Sequence, residues 1–446
     1  AFCRGPGDSD SGGSTVSKSL VIRDPAFDYI HFPAETAEMV RSLLGCREVQ
    51  RLRRVKQLGF SYATYPGAEH SRFQHCIGAA YAAQRLLRRF EEIGIALTEI
   101  QQISFIAAAL LHDVGHFPFS HATETALKDT HCSVEHEEKT ITIVGGATEV
   151  NECLSQRDGE LPQRVVRLIS GGALDDDEAI LHAFIDGNFD VDRLDFIVRD
   201  SVHTGVRSGL VDWQRLLDGL VEYESFPMHE QKNLATIEEF LIARYMMYEK
   251  VYFHKTTRGM EVVYKAWLKR LWLLYEAGEL SEDVADSRVC KFMGGDATDD
   301  DFALLDDADI VGVFKDTWCN SQDEVLRDMA RRLLWRDPLK AVVDAEHIPG
   351  DPDAHDRVRT LLTDKGFPPT YYYHWDGISD LPYKYNVVSD GESGNPGIRI
   401  LVGGSPEDII AHSDIARALL RRKTHTRAYA PAQCTEAITQ ILGTQH

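Results

Sequence analysis

The chain has 446 residues, 43 % of them hydrophobic, which is long enough for two domains or for one with a sizeable appendage. Lys and Arg total 48 against 70 Asp and Glu, a net charge of −22 that disfavours general nucleic-acid binding but permits a small polyanionic ligand met by local positive charge. No apolar run approaches the ~20 residues of a membrane span, and the 8 cysteines show no paired short spacing of the kind a disulfide framework or cysteine zinc site needs.

No charged-then-apolar leader opens the chain, so a cytoplasmic location is expected, with a nuclear one compatible. Residues 1 to 18, rich in Gly, Ser and Asp, are expected to be disordered. VIRDPAFDYIHF then reads as a short strand pair or turn, and the apolar spacing from Thr36 to Lys56 suits helices. The latter stretch carries Arg47, Arg51, Arg53, Arg54 and Lys56, a local basic cluster. His75 to Phe90 is helical by period, and Thr98 to Gln101 has the spacing of a capping box opening a helix that runs to His112. Thr123 to Lys128, Ala179 to Ile185 and Val191 to Asp200 supply further helices, and Ile237 to Leu274 is the longest periodic segment. GGDATDDDFALLDDADI is expected to be exposed or only partly helical, and DAEHIPGDPDAHD to be a turn-rich linker. The expected class is mainly α: a helical core over 19–278, an acidic helical and linker region over 279–365, and a small α+β lobe over 366–446 with a regulatory or oligomerisation role.

The chemistry concentrates in AALLHDVGHFPFSH, residues 108 to 121. His112 and Asp113 sit side by side where an apolar helix ends, a place where two neighbouring side chains can converge on one ion. Imidazole with carboxylate suits Fe, Mn, Zn or Mg rather than a thiolate-loving metal. His75 lies 37 residues upstream, and FDVDRLDFIVRDS places Asp192 inside an apolar stripe, where a carboxylate is costly unless paired or bound to metal.

The ordered set His75, His112-Asp113 and Asp192, with the wording PGAEHSRFQH, LLHDVGHFPFSH, EHEE and DVDRLDFIVRD, resembles the HD-domain metal-dependent phosphohydrolases. It is closest to their deoxynucleoside triphosphate triphosphohydrolase branch, which includes the mammalian SAM-and-HD-domain enzyme and bacterial relatives. The likeness runs from about Val21 to about Leu268, and no SAM domain is expected. The resemblance implies His75, His112, Asp113 and Asp192 as ligands of a divalent ion, with a second Mg accompanying a triphosphate. It implies His116 and His121 beside the α-phosphate, Glu124 as acid partner of His121, and His136-Glu137 orienting His116. Arg72 and Arg193 match residues that clamp phosphates, Gln57 and Asp200 residues that read the ribose edge, and Tyr264 a tyrosine packed against the sugar.

Phe196 stands where the mammalian member has tyrosine, which removes one hydroxyl contact. Arg23 and Gly45 replace two residues that hold an activating guanine nucleotide there, whereas Arg51 and Arg53 are retained and keep a nucleotide effector open. The implied reaction converts a dNTP and water to deoxynucleoside and inorganic triphosphate, in a homo-oligomer, dimer or tetramer. Its rivals are an HD phosphohydrolase for nucleoside monophosphates, alarmones or cyclic nucleotides, and a nucleotide-sensing or nucleic-acid-binding scaffold.

Overall fold

A computed structural model describes residues 18–128, 135–345, 352–380, 397–420 and 423–442. The expected disorder of residues 1 to 17 lies outside the described residues. The chain is mainly α-helical, with a few small sheets. It opens on the antiparallel hairpin β1 (Leu20–Asp24) and β2 (Asp28–Phe32), registered from Leu20 opposite Phe32 to Asp24 opposite Asp28. Asp24 is buried and turns its carboxylate inward to the backbone N–H groups of Ala26 and Phe27.

Three helices form the centre: Arg72–Glu92, Glu99–Leu111 and Val191–Thr204. Ala79, Ala80, Ala82, Ala83, Ala107, Ala108 and Ala109 are all buried in the core these helices share, and such small side chains let backbones approach closely. The first helix starts on a capping box in which the Ser71 N–H donates to Gln74 Oε1 at 3.0 Å. The second starts on the box read from Thr98 and Gln101, and His112 ends it.

The periodic run from Ile237 to Leu274 is interrupted in the structure. The helix Leu234–Met247 passes into a π-turn at Tyr248–Tyr252, and a new helix, Lys255–Glu276, starts from a His254 cap. That helix anchors a second core around Tyr264, Trp267, Phe314 and Met329. Fully burying each such side chain contributes about 1.5–3 kcal/mol.

The acidic stretch departs from its expectation. Asp306 caps the helix Asp307–Asn320 through a reciprocal box with Asp309 and pairs with Arg54, and both Asp306 and Asp307 are buried. Asp307 accepts from the backbone N–H of Phe119 at 2.9 Å and of Lys56 at 3.0 Å. Burial raises Asp307 to about 6 even though these two N–H donors favour its carboxylate, so part of an acidic run serves as internal cross-link rather than solvated surface. The turn-rich reading of 344–356 is likewise corrected at its end, because Pro352–Asp364 is helical, with Pro at a start that needs no N–H.

Strand β3 (Leu220–Tyr223) pairs with β4 (Phe226–Glu230), which meets β7 (Arg399–Val402) in parallel, and β8 (Ser405–Asp408) closes that sheet. A separate antiparallel sheet has the order β5 (Lys340–Ala345), β9 (Lys423–Ala430), β6 (His374–Asp380). Segment 366–446 thus contributes to two sheets, and its Ile398, Ile400 and Ile409 join the main core. Among the described residues no helix is long and apolar enough to cross a membrane.

Candidate active site

The helical centre brings His75, His112 and Asp192 together: one ligand atom from each lies within 4.8 Å of the others. His75 Nε2 is 3.0 Å from Asp192 Oδ1 and 3.2 Å from His112 Nε2. Asp113 completes the set, with Oδ2 at 3.5 Å from His75 Nε2 and Oδ1 at 3.4 Å from His112 Nε2. His112 Nδ1 donates to the Ala109 carbonyl at 2.8 Å, which leaves Nε2 as the ligating end. Asp190 caps the Val191–Thr204 helix, accepting from Arg193 N at 2.7 Å, and so fixes Asp192 in the first turn.

A rigid layer stands behind His75. Its Nδ1 meets Asp195 Oδ2 at 2.7 Å; Arg199 grips Asp195 and reaches Asp24 at 2.8 Å, and all are buried. Gly78 makes room for this layer, since a Cβ there would lie 1.7 Å from Asp195 Oδ1. Burial pushes the His75 imidazole down, yet its hydrogen bonds to Asp192 and Asp195 raise it overall to about 10. Burial pushes Asp113 up, but Arg72 and His112 hold it well below the carboxylate range. Two imidazoles and two carboxylates converging within a few ångströms form a donor set that fits a divalent cation.

A second cluster adjoins it, formed by His116, His121, Glu124 and His136, again within 4.8 Å. His116 is 1 % exposed, with Nε2 at 3.2 Å from Asp113 Oδ1, so Asp113 bridges the two clusters. The His136 ring stacks on His116 at 3.8 Å. Glu124 is the hub: Oε1 lies 2.8 Å from His136 Nδ1, and Oε2 is 3.1 Å from His121 Nδ1. Burial and the neighbouring Arg72 cation push His116 well below the usual histidine range. Thr140 holds the His136–Gly145 helix in place by donating to His112 O and accepting from Gly115 N, both at 3.0 Å.

Both clusters open into a cavity of about 820 Å³ that Gln57, Arg72, Glu137, Arg193, Phe196 and Asp200 also line. Arg72 divides its fork between Asp113 and Ser120 Oγ, the latter at 2.8 Å. Arg193 binds Gly187 O at 2.5 Å and its own cap, Asp190. Two cavity residues were missed from the sequence. Tyr252 donates to Asp200 Oδ2 at 2.8 Å, and burial raises its phenol well above the ordinary value, so it stays a donor. Arg244 is 1 % exposed, and its Nε and Nη1 are buried with no hydrogen-bond partner. The run RYMMYEKVYFHK held the signal, but the π-turn inside it breaks the period that would have placed these two.

Two expectations are corrected. Tyr264 does not line the cavity: it is fully buried in the second core, its hydroxyl 2.8 Å from Thr123 Oγ1, because the chain restarts its helix after Tyr252. Arg51 is not presented to an effector. It is 1 % exposed, lies over Phe302, and gives its guanidinium to Leu305 O at 2.9 Å, Val114 O at 3.1 Å and His116 O at 2.6 Å, so it braces the turn after His112-Asp113. Arg53 is exposed and packs on Phe73 at 3.6 Å.

The HD domain model matches residues 72–171, and the HD associated region model matches residues 211–284. YwfO of Bacillus subtilis, an uncharacterized protein, is 31 % identical over 418 residues, 93 % of each chain. The chain belongs to the HD-domain phosphohydrolase family. A deoxynucleoside triphosphate triphosphohydrolase SAMHD1 homolog of Dictyostelium discoideum is 29 % identical over 261 residues, 57 % of this chain and 50 % of that one. The crystal structure of a phosphohydrolase from Bacteroides thetaiotaomicron superposes with a TM-score of 0.77 at 26 % identity, covering 92 % of this chain and 99 % of that one. In this HD-domain chain, His75, His112 and Asp113 fall inside the matched domain and Asp192 outside it.

Proposed function

We propose that this HD-domain protein is a metal-dependent dNTP triphosphohydrolase, converting dNTP and water to deoxynucleoside and inorganic triphosphate. The carrying observation is one cavity lined by His112, Asp113 and Asp192, with His75 directly behind them, and by Arg244, whose buried Nε and Nη1 make no hydrogen bond. Buried guanidinium N–H groups without acceptors are costly and call for an anion, which a triphosphate supplies. The likeness to the Dictyostelium triphosphohydrolase homolog supports the substrate class.

His75, His112, Asp113 and Asp192 would hold a divalent ion, which polarises a phosphate oxygen and favours ionisation of water. Arg244, Arg72 and Arg193 would bind the phosphates, and a second Mg would accompany them. His116, supported by His136 and Glu124, would position the attacking water. His121, the exposed member, would protonate the departing sugar oxygen. Gln57 and Asp200 would read the ribose edge, with Tyr252 taking the place expected of Tyr264. Gln57 Oε1 is buried without a partner, as an acceptor waiting for a ligand hydroxyl would be.

Chromatography of products after incubation with each dNTP and Mn or Mg tests the reaction. Deoxynucleoside plus triphosphate is the expected result; nucleoside monophosphate with pyrophosphate, or no turnover at all, refutes it. A second nucleotide in the mixture tests for an effector, and light scattering tests for the expected homo-oligomer.

A further inference from the structure

His70, in the PGAEH stretch, is absent from the cavity wall yet touches the two residues that the foregoing reading assigns to the ribose. Its Nε2 lies 2.7 Å from Asp200 Oδ1, and its carbonyl accepts from the Gln57 N–H at 3.0 Å. The contact is fully enclosed: His70 is 3 % and Asp200 1 % exposed. A carboxylate accepts, so the Nε2 facing it carries the proton.

The other Asp200 oxygen takes the Tyr252 hydroxyl at 2.8 Å, so the carboxylate is held from both sides and cannot rotate. His203 stacks on the His70 ring at 4.3 Å with planes 15° apart. Gly67 allows the loop to lie this close to the end of the Val191–Thr204 helix, since a Cβ there would lie 2.4 Å from the His203 carbonyl. The loop is therefore docked onto the helix that carries Asp200, with His70 as its plug.

We propose that His70 is a positioning residue for sugar selection: from behind the cavity wall it fixes Asp200, and through its backbone Gln57, so that the carboxylate accepts the 3′-hydroxyl of a deoxyribose. This rests on the assignment of Asp200 and Gln57 to the ribose edge. A carboxylate locked between two donors keeps few lone-pair directions open, so it rewards a hydroxyl at one position and not at another. A substrate without that hydroxyl gains nothing from His70.

The test compares His70→Leu and His70→Gln with the unaltered full chain, on a dNTP and on its 2′,3′-dideoxy counterpart. Leu removes the donor, whereas the Gln carboxamide keeps one. The expected result is a loss of about tenfold or more in kcat/KM for the dNTP with His70→Leu, partial recovery with His70→Gln, and little change for the dideoxy nucleotide in either. A loss that is equal for the two nucleotides, or no loss for either, overturns the proposal. The same ratio is read by equilibrium binding. An unchanged ratio then condemns the role of His70 whichever bond is cut, while absence of triphosphate among the products condemns the proposed reaction instead. Should His70→Leu fail to fold, His70→Gln carries the comparison alone, with a smaller but still sugar-selective loss expected.

Discussion

Two clusters of imidazole and carboxylate face one cavity and share Asp113, but they stand on different supports. The His75 cluster draws its groups from three helices and is backed by Asp195, Arg199 and Asp24, all buried. The His116 cluster lies in and after the turn following His112, where Phe119 and Ser120 both have φ +53°, and one member, His121, has a 69 % exposed side chain. The first support preorganises a fixed charge distribution, which suits an ion that stays. The second surrounds one carboxylate, Glu124, with three imidazoles of different exposure, which suits groups that exchange protons with a visiting substrate.

The largest effect expected from this contrast is at the ligands. His112→Ala or Asp192→Ala should abolish bound metal, read by elemental analysis, together with turnover; full activity in either would dissolve the distinction. Next, His116→Ala should keep the metal and lose about 10²–10⁴-fold in kcat. Loss of the metal there would show that the clusters form a single ion site.

Gly78→Ala touches only the support. Its Cβ would displace Asp195 and Arg199, so metal affinity should fall about 10–100-fold while the ligands remain intact. An unaltered affinity would mean that the backing layer does not tune the site.

The smallest effect separates acid unfolding from acid inactivation. His229, on β4 and a member of neither cluster, is pushed down to about 4 by burial. Between about pH 6.5 and 4 the unfolded chain binds a proton that folded His229 does not, so its contribution is complete above 6.5 and lost as pH falls. His229→Gln should flatten the decline of Tm across that window, by the equivalent of about 1–3 kcal/mol. A decline as steep as before would place the acid sensitivity elsewhere.

Much of the site was legible because it is local. Histidine next to aspartate at the end of an apolar helix, with Gly115, His116 and His121 just beyond, states its chemistry within a few residues. Asp192 was legible too, as a carboxylate in an apolar stripe. Arg244 and Tyr252 were visible as residues but not as site members, because the π-turn at Tyr248–Tyr252 and the helix restart at Lys255 break the period from which a facing is inferred. Tyr264 was read as facing the sugar because the resemblance implied it, whereas its own fold environment puts it in the second core. Arg51 was kept open for an effector because the resemblance matched it to that position, but the carbonyls it meets, from Val114, His116 and Leu305, are visible only in the fold.

The sequence by itself determined the helical class, the four residues of the H…HD…D order and the family they resemble, since periodicity and close motifs are properties of neighbouring residues. Only the tertiary structure decided that Asp113 joins two clusters, that Glu124 serves three histidines, and that His70 lies behind Asp200. Those relations join segments as far as 130 residues apart, and they are fixed by how helices pack, which no local pattern encodes.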